Sequence, residues 1–93
     1  MLYESSRSIT SSISPEWARR LADREEPAWK LSWRPETLLD HDMATAAMRL
    51  TEMCSGADEP GAEAATIAAA LGTTVQHVQA VLHQRLRERG NLG

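Results

Sequence analysis

A chain of 93 residues with a formal net charge of −3 has room for one small domain with a modest core, and its mild acidity argues against an indiscriminate binder of nucleic acid. No apolar run approaches the about 20 residues of a membrane span and nothing at the N-terminus reads as a signal peptide, so the expectation is a soluble, cytoplasmic protein with no membrane partner. Phe is absent, which leaves three Trp, one Tyr and the aliphatic residues to build the core, while the single Cys54 allows no internal disulfide and fits a reducing compartment.

Residues 1–13 are rich in serine (Ser5, Ser6, Ser8, Ser11, Ser12) with scattered apolar positions, and this composition predicts a flexible arm. Ser14-Pro15-Glu16 reads as a helix start: a capping hydroxyl, a proline in the first turn and an acid at the positive end of the dipole. Trp17 and Leu21, with Ala18 and Ala22, would form the narrow apolar face of a short amphipathic helix that Pro27 stops. Trp29, Leu31 and Trp33 then alternate with Lys30 and Ser32, a period of two that predicts an extended segment closed by Pro35. Its tryptophans either plug the core or anchor a partner protein.

A longer helical pattern restarts after Asp40 or Asp42 and runs through Met43, Ala46, Ala47, Leu50, Met53 and Cys54 to Ser55-Gly56. The stretch from Ala57 to Gly61 reads as a loop. Two short helical patterns then meet at a glycine. Ile67, Ala68 and Leu71 keep helical spacing before Gly72, and Val75, Val78, Val81, Leu82 and Leu86 keep it afterwards. Gly72 can take the left-handed conformation that ends one helix, Thr73 or Thr74 can cap the next, and Gly90 would stop it.

This arrangement resembles the helix-turn-helix of bacterial and phage transcription regulators, including repressors, winged-helix regulators and the last domain of sigma factors. Ile67 and Ala68, Leu71-Gly72, the hydroxyl of Thr74, and Val78 and Val81 three apart carry the likeness. Thr73 departs from it, since the family has an apolar residue after the glycine. The resemblance implies a mainly α fold: a tri-helical helix-turn-helix bundle with an N-terminal amphipathic helix and a short extended Trp-rich segment. Residues 14–93 would form one small helical domain, with the helix-turn-helix at about 62–89. ERGNLG resembles the start of the hairpin in a winged helix; the residues to Gly93 do not complete one, so the strand of any small sheet would come from Trp29–Trp33.

The same resemblance implies a sequence-specific DNA-binding protein, a small transcription regulator whose helix 74–89 enters the major groove of double-stranded DNA. Thr74, Gln76, His77, Gln79, Ala80 and His83 would then face outward. Gln can bond adenine bidentately, Ala or a Thr methyl can touch thymine, and Arg85 and Arg87 would hold phosphates. Residues 1–60 hold eleven acids against seven bases and residues 61–93 two against three, so the acids lie outside the motif. Such modules often act as symmetric dimers, and Trp17 is the candidate contact for a homodimer.

Two other classes compete. One is a protein-interaction module on a helix-turn-helix frame, such as a phage-encoded inhibitor of a host protein, engaging its partner through Trp17, Trp29 and Trp33. The other is an assembly subunit. His41, His77 and His83 lack metal-ligand spacing, Cys54 cannot complete a zinc site, and no phosphate loop or nucleophile motif stands out, so no enzyme, metal or cofactor is expected.

Overall fold

The computed structural model describes residues 1–21, 28–55 and 60–91. Five strands come first, β1 (Leu2–Glu4), β2 (Ser8–Ser11), β3 (Trp17–Arg20), β4 (Trp29–Leu31) and β5 (Arg34–Leu39), followed by three helices, α1 (His41–Ser55), α2 (Ala62–Ala70) and α3 (Val75–Asn91). The strands lie side by side in chain order, every neighbour antiparallel. The fold is therefore a five-stranded antiparallel sheet joined to three helices. The mainly α, tri-helical bundle expected from the sequence is corrected by this sheet, which occupies the whole N-terminal part.

Each error in the sequence reading has a local cause. The serines of the expected flexible arm build turns. Ser5 Oγ accepts from the amides of Arg7 and Ser8 at 3.3 and 3.1 Å, closing β1 onto β2. Ser11 Oγ accepts from Ile13 and Ser14, and Ser14 Oγ from Glu16 at 3.3 Å, turning the chain from β2 towards β3. What reads as a helix cap at Ser14 is thus a loop-closing hydroxyl. The expected amphipathic helix is β3, whose Ala18 pairs with Ile9 on one side and Leu31 on the other. A segment this short has little helical stability of its own, so non-local pairing decides its state. The expected stop at Pro27, the Gly56 end of the first long helical pattern and residues 57–59 of the expected loop lie outside the described residues. Trp29–Leu31 is extended, as the alternation suggests, and is β4.

One face of the sheet packs on α1. Ile9, Ala18, Trp29 and Leu31 are at most 3% exposed and meet a helix face built from Ala44, Ala47, Met48 and Leu50, all fully buried. Trp33 joins this core, its indole N–H donating to Thr51 Oγ1 at 2.9 Å while the Thr51 hydroxyl donates to Ala47 O. The tryptophan's polar atom is satisfied and its ring stays in the core. Asp40 starts α1: its Oδ1 accepts from Met43 N at 2.7 Å. α1 also packs against α2 and α3, so it touches both the sheet and the helix pair.

The α2–α3 connection follows from three residues. Gly72 has φ 76°, the Thr73 amide donates to Ala68 O and the Gly72 amide to Ala69 O, which together satisfy the last carbonyls of α2. Thr74 Oγ1 accepts from His77 N at 3.2 Å and so caps α3. The small Ala64 and Ala68 of α2, at most 1% exposed, permit close approach to Val78 and Leu82 of α3. α3 continues past Gly90, where the sequence reading ended it. A Cβ added at Gly72 meets no atom within 4 Å, so only the backbone conformation opposes substitution. Gly72→Ala should therefore cost about 1–2 kcal/mol, read from the shift in denaturation midpoint. An unchanged midpoint would mean the turn does not need its positive φ.

Candidate nucleic-acid interface

Seen around the helix axis at 100° per residue, the residues expected to contact DNA separate into two groups. Gln76, Ala80, His83 and Arg87 fall in one narrow stripe, all exposed. His77 and Gln84, also exposed, flank it on one side. Gln79, half-buried, flanks it on the other and lines a cleft between α1 and α3 with Cys54, Leu82 and Leu86. Thr74 is exposed at the start of the helix, where it lines a shallow groove with Gln76 and with Ala65 and Ala69 of α2. The stripe runs from Gln76 to Arg87, about 16 Å along the axis. It contains no carboxylate, and Glu88 beyond it lies 3.4 Å from the Gln84 amide nitrogen.

Arg85 belongs elsewhere. It lies seven residues after Val78 and three after Leu82, on the helix face that is buried, and the phosphate contact expected of it is not where its side chain goes. Its Nε donates to both carboxylate oxygens of Glu16, at 3.0 and 2.9 Å. Glu16 is 2% exposed, and its Oε1 also accepts from the Ser32 hydroxyl at 2.6 Å. Ser32 Oγ in turn accepts from Trp17 N. A buried carboxylate in the loop before β3 therefore ties the sheet to α3. Sequence reasoning took Glu16 for a first-turn acid and missed this role; the position of Arg85 behind the stripe was the available signal.

A second polar cluster sits at the opposite end of the sheet. His41 Nε2 pairs with Glu4 of β1, its ring stands edge-on to Trp29 at 5.4 Å between centroids, and Arg20 and Ser6 complete a small open pocket. The hydrogen bond to Glu4 raises the His41 pKa above its ordinary value despite some desolvation, with Glu4 and Asp42 charge adding to the effect. A histidine raised in the folded state adds stability below its unfolded pKa and loses that contribution as pH rises through the folded value. The stability gap between wild type and His41→Gln should accordingly be widest below the unfolded value of about 6.5 and shrink as pH rises past the raised folded value. A gap that is flat with pH would show that the pair does not form in solution. Among the described residues no three His, Cys, Asp or Glu side chains gather to hold a metal ion, and no helix is long and apolar enough to cross a membrane.

The tryptophans also divide. Trp29 and Trp33 are 3% and 7% exposed, so they are core and not the partner anchors of the interaction-module reading. Trp17 is half-buried on the opposite face of the sheet, with the Arg19 guanidinium 4.2 Å from its ring centroid. It stands on a strand, not on the helix proposed for dimer contact. Compared with known proteins, the chain matches no family model, no curated protein and no solved structure.

Proposed function

We propose that this protein binds double-stranded DNA through α3, as a small sequence-reading regulator acting in the cytoplasm. The observation that carries this reading is the stripe Gln76–Ala80–His83–Arg87: polar, free of carboxylates, and outward-facing on a helix set by a left-handed glycine turn and a threonine cap. Its length of about 16 Å matches nearly five base pairs at 3.4 Å each. In this reading Gln76 bonds adenine at N6 and N7, Ala80 touches a thymine methyl, and Arg87 reaches a guanine edge or a phosphate. His77 and Thr74 lie at the amino end, where such helices meet base edges.

Because Arg85 is held by Glu16 and Arg89 falls on the helix side of Val78, Arg87 is left to neutralise phosphate from the stripe. About one phosphate contact per chain gives a log–log salt slope near −0.9 per subunit, shallow for a DNA-binding protein. Weak attraction of this size favours a homodimer that reads two half-sites. The test is selection from random duplexes followed by Gln76→Ala on the enriched sequence. Specific affinity should fall by about 1–3 kcal/mol while non-specific binding stays nearly unchanged. If no sequence is enriched at low salt, the helix pair is a scaffold and the protein-interaction reading, now resting on Trp17 alone, replaces this one.

A further inference from the structure

The sheet face turned away from α1 carries two rows of side chains set by register. Tyr3, Thr10 and Trp17 stand opposite one another across β1, β2 and β3. Beside them, Ser8, Arg19 and Lys30 stand opposite one another across β2, β3 and β4. Successive Cβ atoms alternate between faces, and Ile9, Ala18 and Leu31 between these positions are at most 1% exposed, so both rows point outward. Tyr3 is 54% exposed, Arg19 is exposed, and Trp17 and Lys30 are half-buried. Neither row contains a carboxylate; Glu36, farther along the chain on β5, lies outside both.

The rows are two residues apart along the strands, about 6.6 Å, and the two aromatic rings are two strands apart, about 9.5 Å. On β5 the row of Ser8, Arg19 and Lys30 continues to Leu38, which stands opposite Lys30 and is exposed. A thin ligand that offers flat groups to the aromatic row and regularly spaced anionic groups to the cationic row fits both. We infer that this face binds single-stranded nucleic acid, with bases stacking on Trp17 and Tyr3 and phosphates following Arg19 and Lys30. The Arg19 guanidinium now lies over the Trp17 ring, so a base stacking on that face requires Arg19 to turn off it towards a phosphate. The face points away from α1, on which α2 and α3 pack, so it is distinct from the outward stripe of α3.

The full chain is titrated into a labelled oligothymidylate of about twelve nucleotides at about 50 mM salt and read by anisotropy, with heparin and polyglutamate as base-free anionic probes. Trp17→Ala and Tyr3→Ala should each weaken oligothymidylate binding about fivefold or more. Arg19→Ala and Lys30→Ala should each reduce the salt slope by about 0.7 unit. Gln76→Ala should leave all of this unchanged, which separates the outcome from that of the duplex reading. Tyr3 is at the sheet edge and largely exposed, so its variant carries the test if Trp17→Ala fails to fold. Binding of heparin or polyglutamate as tight as that of the oligonucleotide, or affinity indifferent to both aromatic substitutions, overturns the inference in favour of an unselective cationic patch or an acidic-peptide site. Absence of binding at this salt overturns it outright.

Discussion

Val78→Asp should abolish cooperative folding. Val78 is fully buried within the core cluster that includes Ala64, Ala68, Leu71 and Leu82. A carboxylate placed there has no partner, and its burial costs several kcal/mol, a large part of the about 5–15 kcal/mol that holds a domain together. The expected result in urea or on heating is loss of the transition, with helix content and core protection falling together. Val81, half-buried one turn farther on, is the control, and an aspartate there should cost less. A cooperative melt within a few degrees of wild type for Val78→Asp would mean that α3 presents a different face to the core, and the stripe assigned to DNA would rotate with it.

Arg85→Ala should be a stability variant first. It leaves the Glu16 carboxylate, whose side chain is 1% exposed, with the Ser32 hydroxyl as its remaining side-chain partner. Breaking a buried pair from one side costs about 3–5 kcal/mol, whereas removing both partners often costs far less. The cycle of Arg85→Ala, Glu16→Ala and the double variant, followed by denaturant unfolding, should show a coupling of that order. Arg87→Ala should behave in the opposite way, leaving stability within about 0.5 kcal/mol because Arg87 is exposed. If Arg85→Ala leaves the unfolding midpoint unmoved and weakens binding to all DNA sequences alike, the ion pair gives way to phosphate in solution and the salt slope steepens by about one unit.

The two halves of the chain differ in how legibly the sequence specifies them. The helices carry their own punctuation: Asp40 caps α1, Gly72 ends α2, Thr74 caps α3, and apolar residues recur with the helical period. Such signals act over four residues or fewer and can be read one at a time. The sheet has none of that economy. Its strands are three to six residues long, and their partners are fixed by pairing across turns. The serines that close those turns are the residues whose composition suggests disorder. Trp17 and Leu21, four apart, imitate a helix face, while the residue that enters the core is Ala18, which contributes little to any hydrophobic pattern.

The candidate interface was legible in part for the same reason. Gln76, Ala80, His83 and Arg87 share a face by helical geometry alone, and the structure leaves that face open. Arg85 could have been set apart from them by counting around the helix, because it shares the side of Val78 and Leu82. Its partner could not have been found in that way. Glu16 is 69 residues distant and lies in a loop that only the folded sheet brings against α3. The pairing of Glu4 with His41 is hidden similarly, since it joins β1 to the first residue of α1.

The most direct measurement of the DNA-reading assignment is an NMR titration of the labelled chain with a selected duplex. Amide shifts should move along Thr74–Gln84 and at the Arg87 side chain, saturate at one chain per half-site, and leave β1–β4 unperturbed. Shifts confined to the sheet, or spread over the buried side of α3 around Arg85, would contradict the assignment of α3 as the element that meets the groove.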